Sequence, residues 1–304
     1  MTGVPVVRAD GLRRKYDDHE ALRGVTFSVP EGCVYGLVGR NGSGKTTTIR
    51  LLLGLLRPDD GASSVFGEDS LALSAATRRR IGYLSEEDFP YDDLPVPELL
   101  RWLSAFFPAW DWDRVERWTK RFDVSPTQDL KSMSKGERRR AELLLVLAQD
   151  PDLLILDDPA LGLDVTVRRE FLGAALEISR DEGKTVLFTS HVLTDMERVV
   201  ETVALLEDGA VRTEARLDDL KARTKRLVFP DGASASIVVP GEVTRRVERG
   251  DLVVVTEAFG DAIERRLREA CPALQVEDLN LEEIFVEVLG RKPDAAATTA
   301  GQKA

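Results

Sequence analysis

Gly39-Arg40-Asn41-Gly42-Ser43-Gly44-Lys45-Thr46 has the residue types and the spacing to hold a polyphosphate. Gly39, Gly42 and Gly44 let successive backbone N–H groups face one concavity, with Asn41 and Ser43 between them, and a helix starting at Thr46 adds positive potential there. A triphosphate is the natural guest. In that arrangement Lys45 reaches the β and γ phosphates, the Thr46 hydroxyl ligates Mg²⁺, and Thr47 lies near the α phosphate. A chance match in a chain of ordinary composition is on the order of one in a hundred. The alternative is an ordinary glycine turn.

A second cluster, Asp157-Asp158, closes the apolar run Leu153-Leu154-Ile155-Leu156. A carboxylate emerging from a buried strand beside a phosphate loop can hold the water shell of Mg²⁺, which is the role expected of Asp157. The next carboxylate, Asp158, is placed to polarise an attacking water as a general base. Aspartates after a strand also serve as turn formers, and on these two residues alone that alternative stays open.

These groups need elements that bring them together. From Val6 to about Val211, short β-branched runs alternate with helical patterns, the rhythm of a sheet covered on both faces by helices. Val34–Val38 precedes the glycine loop, Leu153–Leu156 ends at the aspartates, and Thr185–Thr189 ends at Ser190-His191. Ligands of open α/β sheets bind beyond the carboxyl ends of strands, so these three polar clusters are expected in one site. Between Phe89 and Phe122 lie 9 of the 19 aromatic residues, including all four Trp. This stretch reads as an inserted helical subdomain. Leu99, Trp102, Leu103 and Phe106 recur at helical spacing, which fits a helix packed on its own core. The alternative is that some of these aromatics are exposed to grip a partner helix.

The 304 residues, 43% of them hydrophobic, can supply a substantial core. A net charge of −11 argues against a nucleic-acid partner, which would need a basic face. Cys33 and Cys271 show no paired spacing, which fits a reducing cytosol and inert core thiols. No apolar run approaches the length of a membrane span, and no secretory signal is evident, so a cytoplasmic location is expected.

Taken in order, the motifs resemble the ATP-binding subunit of an ABC transporter over residues 6–212. Tyr16, the glycine loop, Ile81-Gly82-Tyr83-Leu84-Ser85-Glu86, Met133-Ser134-Lys135-Gly136-Glu137, the Asp157 strand with Ala160-Leu161-Gly162-Leu163-Asp164 after it, and Ser190-His191 carry the resemblance. It implies that Tyr16 stacks on adenine and that Ser134 and Gly136 meet the γ-phosphate held by a second subunit. Asp164 resembles the aspartate that contacts the opposite subunit. His191 resembles the switch histidine at the γ-phosphate and attacking water, and Glu86 stands where most members carry a Gln near the metal and the reacting phosphate. Lys135 and Glu137 replace Gly and Gln of the signature. Asp158 replaces the usual catalytic Glu, a carboxylate about 1.5 Å shorter, so slow hydrolysis is expected.

Phe107-Pro108-Ala109-Trp110-Asp111 and Leu281-Glu282-Glu283-Ile284-Phe285 look like the helical subdomain and tail of ABC-2-type export ATPases. The resemblance therefore implies an α/β P-loop NTPase of ABC type, with ATP and Mg²⁺ as ligands, peripheral on the inner face of the cell membrane. Its partners would be a membrane-spanning permease and a homodimeric or heterodimeric mate. The alternatives are a soluble ABC ATPase acting on ribosome or DNA, and a weakly hydrolysing subunit paired with an active sibling. The expected boundaries are an ATPase domain at 1–212 with a helical subdomain at about 87–150, a small α+β appendage at 213–291, and a disordered tail at 292–304. In the appendage, strands are expected at Ser236–Val239 and Leu252–Thr256, with helices at Asp261–Ala270 and Leu281–Leu289.

Overall fold

A computed structural model of the chain describes residues 4–87, 91–125, 127–159, 163–190, 192–230 and 237–289. The chain divides into two compact units, 1–214 and 215–304.

In the first unit the strands are β1 (Val7–Tyr16), β2 (His19–Val29), β3 (Val34–Gly39), β4 (Asp60–Val65), β5 (Glu68–Asp69), β6 (Ile81–Leu84), β7 (Leu153–Asp157), β8 (Thr185–Ser190), β9 (Thr202–Glu207) and β10 (Ala210–Arg216). Its helices are α1 (Lys45–Leu52), α2 (Ala75–Arg79), α3 (Val96–Ser104), α4 (Trp112–Phe122), α5 (Lys135–Leu147), α6 (Val165–Glu182) and α7 (Leu193–Met196). A six-stranded sheet runs β10-β9-β3-β8-β7-β6, and β9, β3, β8, β7 and β6 pair in parallel. Parallel strands are buried on both faces, which is why β3, β7 and β8 are buried at every residue and lack the polar alternation of a half-exposed strand. A second sheet, β2-β1-β4-β5, shares a core with the first through Val25, Phe27, Leu37, Ile155 and Leu187, and Ile49 and Leu52 of α1 fill the space between. Helix α1 begins at Lys45, one residue earlier than the sequence pattern suggests.

The helical insertion is α3 to α5. Trp118 and Phe122 are fully buried on α4 and stack with ring centres 5.3 Å apart. On α3 the buried face is Val96, Leu99 and Leu100. This corrects the expectation for Trp102 and Phe106, which lie off that face and are about half exposed, packed edge to face against each other.

The second unit contains α8 (Leu217–Arg223), β11 (Lys225–Phe229), β12 (Glu242–Glu248), β13 (Asp251–Thr256), α9 (Asp261–Ala270), β14 (Gln275–Asp278) and α10 (Leu281–Leu289). Its antiparallel sheet runs β12-β13-β11-β14. Leu227, Phe229, Leu252 and Val254 form a core with Leu267 of α9, followed by Cys271 and Leu274. Both helices coincide with the expected ones. The strand expected at 236–239 does not: Ser236 lies outside the described residues, Ile237–Val239 are not in a strand, and the strand starts at Glu242. Pro240, which has no N–H, and Gly241 at φ 63° break the chain before it. The 292–304 tail lies outside the described residues.

Candidate active site

The carboxyl ends of β3 and β7 open on a cleft of about 450 Å³. Tyr16, Asn41, Gly42, Gly44, Lys45, Thr46, Thr47, Glu86, Asp157 and Asp158 line it, together with His19 and Ala21. Gly44 caps α1 at φ 105°, and a Cβ there would stand 2.4 Å from Leu22 Cδ2, so only glycine closes the loop. At Gly42, φ 80°, a Cβ would meet open space. The first N–H groups of α1 have no partner within the helix and are available to an anion. Lys45 is buried and donates from Nζ to the carbonyls of Gly39 at 2.8 Å and Arg40 at 3.2 Å. Burial lowers its pKa, opposed by the negative charge of Asp158, Asp157 and Glu86.

Asp157 and Asp158 are both buried, and one side chain of β8 serves both. Thr189 Oγ1 donates to Asp157 Oδ1 at 2.7 Å and accepts from the Asp158 N–H at 2.9 Å. The Thr189 carbonyl also accepts from that N–H at 3.2 Å. Asp158 adopts φ 44°, a left-handed conformation that Asp tolerates better than most residues. Burial raises the Asp157 pKa, donation from the Thr189 and Thr46 hydroxyls holds it down, and the neighbouring Asp158 charge raises it again; the net direction is up.

Asp157 Oδ2 is sealed from solvent with no hydrogen-bond partner among the described residues. An unsatisfied carboxylate oxygen of this kind suits a hard divalent cation such as Mg²⁺, and the oxygen-bearing side chains of Thr46 and Glu86 line the same cleft. Ser43 is buried beneath the loop, and its Oγ also lacks a partner. Tyr16, at the end of β1, is partly exposed, and the Arg14 guanidinium covers its ring at 5.1 Å while bonding Asp59 at 2.8 Å.

Gly39, Ser43, Ser134, Gly136 and Asp164 do not line the cleft. Ser134 caps α5 in a reciprocal box with Glu137, whose carboxylate accepts from the Ser134 N–H at 2.8 Å and hydroxyl at 2.6 Å. That pairing is a structural reason for Glu at 137. Asp164 caps α6, accepting from the N–H groups of Thr166 and Val167. His191 and Ala160-Leu161-Gly162 lie outside the described residues.

Sequence reading missed His19, Ala21 and Thr189. The two-residue Asp17-Asp18 turn pairs Tyr16 with His19 and so brings His19 to the cleft, a signal that was available. Thr189 is one residue from a strand end already singled out.

A phosphate loop after one parallel strand, an aspartate pair after another and a helical insertion between them define an ATP-binding cassette of the P-loop type. The profile of the ABC transporter family matches residues 22–161. Daunorubicin resistance ATP-binding protein DrrA3 of Streptomyces coeruleorubidus is 30% identical over 306 residues, spanning 93% of this chain and 96% of that protein. Nod factor export ATP-binding protein I of Ralstonia nicotianae is 28% identical and spans 95% of each chain. A solved structure of an ATP-binding subunit of an ABC transporter superposes with a TM-score of 0.66 at 27% identity, covering 71% of this chain and 92% of that one. The chain belongs to the ABC transporter family, as an ATP-binding ATPase subunit.

Proposed function

We propose that this chain binds ATP with Mg²⁺ in the cleft, hydrolyses it, and powers export through a separate membrane-spanning subunit, working at the cytoplasmic face of the membrane. The observation that carries the reading is the convergence of Lys45, Asp157 and Asp158 on one cleft. The name of the Nod factor export relative supports export. No helix among the described residues is long and apolar enough to cross a membrane, so in this reading the substrate route belongs to another subunit. The half-exposed aromatics Tyr91, Trp102 and Phe106 offer that subunit a docking face. A net charge of −11 lends no support to a ribosome or DNA factor.

Tyr16 stacks on the base, the loop N–H groups and Lys45 hold the phosphates, and Thr46, Asp157 and Glu86 hold the metal. Mg²⁺ would neutralise charge on the β and γ phosphates. Asp158 accepts the proton of the attacking water, and His191 orients that water. Ser134, Gly136 and Asp164 lie away from the cleft, so they serve the nucleotide of a second copy or of a sibling subunit, and ATP joins the two. Because Asp158 is shorter than the usual Glu, turnover is slow.

Lys45→Ala tests the reading: calorimetry should show ATP affinity falling at least tenfold, and equal affinity would overturn it. Detergent extraction of tagged chain from its native cells should bring down a membrane-spanning subunit. Recovery of ribosomes or DNA instead would redirect the assignment.

A further inference from the structure

Arg139 lies on the first turns of α5, five residues after the Ser134 cap, and its side chain is only 11% exposed. Its donors reach three separate places. Nη2 donates to the Ser85 carbonyl at 2.6 Å, Nε to the Pro159 carbonyl at 3.1 Å, and Nη1 to Glu142 Oε2 at 2.8 Å. Ser85 immediately precedes Glu86 at the end of β6, and Pro159 immediately follows Asp158 at the end of β7. These two strands are parallel neighbours, so the guanidinium bridges the mouths of adjacent strands where they meet the cleft. Glu142 is 4% exposed and also accepts from Arg138 Nε at 3.1 Å, which holds the bridge at its base.

A guanidinium is a rigid planar fork with a fixed separation between its donors, so it sets the distance between two carbonyls in a way that a flexible ammonium does not. Each carbonyl lies one peptide unit from a side chain of the site. A displacement of about 1 Å in a reacting group can cost about a hundredfold in rate. We propose that Arg139 is a positioning residue for ATP hydrolysis. One guanidinium fixes the Glu86 and Asp158 segments relative to each other and ties both to the helix that begins at Ser134. Motion at the start of α5 is thereby transmitted to the two carboxylates. The inference rests on the roles given to Glu86 and Asp158 under the proposed function.

Arg139→Lys keeps a cation beside Glu142 but cannot span both carbonyls. Wild type, Arg139→Lys and Lys45→Ala are compared by steady-state ATPase rates with Mg²⁺ and by ATP affinity in calorimetry. Hydrogen exchange of peptides covering residues 84–87 and 156–159 is followed in parallel, with thermal midpoints checking the fold. Expected for Arg139→Lys are a kcat at least tenfold lower, an ATP Kd within twofold of wild type, and faster exchange in both peptides. A kcat within twofold of wild type overturns the inference, and so does a loss of ATP affinity as large as the loss of kcat. If Arg139→Lys unfolds, Arg139→Gln, which can serve one carbonyl, takes its place under the same criteria. Should turnover be too slow to measure, unchanged exchange in the two peptides overturns the inference and faster exchange supports it. Lys45→Ala that still hydrolyses ATP at the wild-type rate defeats the reading of the cleft itself. An inactive Lys45→Ala beside a fully active Arg139→Lys defeats only the role of Arg139.

Discussion

Replacing Thr189 by Val removes one oxygen from the centre of the site and little else. Thr189 is fully buried, so no water can take over its hydrogen bonds. Asp157 Oδ1 loses a donor at 2.7 Å, and a hydrogen bond to a charged group contributes about 1.5–3 kcal/mol. The Asp158 N–H loses an acceptor at 2.9 Å but keeps the Thr189 carbonyl at 3.2 Å, so that loss is about 1 kcal/mol or less. The sum is about 3 kcal/mol, which for a unit of this size lowers the melting temperature by roughly 6–12 °C. Differential scanning calorimetry without nucleotide measures it, with Thr189→Ser as the control that restores the hydroxyl. The loss should also depend on pH. Asp157 already has a raised folded pKa, so its contribution to stability is full below the ordinary carboxylate range and is lost as pH rises through the folded value. Valine raises that folded value further, so the gap between variant and wild type should be widest at neutral pH and close as the solution is acidified. Melting of Thr189→Val within 2 °C of wild type at pH 7, or a Thr189→Ser drop as large as the valine one, would refute the reasoning.

Asp158→Glu should raise kcat by roughly tenfold at saturating ATP, because regained reach of about 1.5 Å outweighs a strain below about 1 kcal/mol for Glu at φ 44°. An equal or lower rate would show a site already adapted to Asp. Arg114 is buried on α4, with Nε on the Leu147 carbonyl at 3.0 Å, Nη2 on Glu182 at 2.7 Å and Nη1 on Asp150 at 3.1 Å. Arg114→Met should destabilise by about 3 kcal/mol in urea titration, the low end for a broken buried pair because Asp150 can rehydrate. Burial pushes the Cys33 thiol up to about 11, so iodoacetamide at pH 8 should leave Cys33 unmodified until the chain is unfolded.

The parallel strands were legible because burial on both faces makes an apolar run, and Val34–Val38, Leu153–Leu156 and Thr185–Thr189 each fall within β3, β7 and β8. Helices α9 and α10 were legible for their periodicity. Strand β12 was not, since of Glu242–Glu248 only Val243 is buried: the strand is held by antiparallel pairing with β13, and Arg246 reaches Glu287 at 2.8 Å, neither of which apolar counting can see. Trp102 and Phe106 share a helical spacing with Leu99, yet spacing does not say which side of the helix meets the core. In the site, the glycine loop and the aspartate pair could be read locally. Thr189 and Arg139 could not, because each acts on groups 20 or more residues away, brought near only by the strand order.

That strand order also bears on how the chain is made. The neighbours of β3 are β8 and β9, so the strand leading into the phosphate loop is synthesised early but has no pairing partner until Thr185 and beyond have emerged. At about 5–20 residues per second the wait is on the order of ten to thirty seconds. Throughout it, Val34–Gly39 is an orphan strand of largely apolar residues, the kind of edge on which nascent chains stick to one another. A ribosome that stalls before Thr185 leaves a fragment that carries the loop but has no sheet to hold it. Such a fragment is a client for chaperones and proteases, with no folded site through which nucleotide could rescue it.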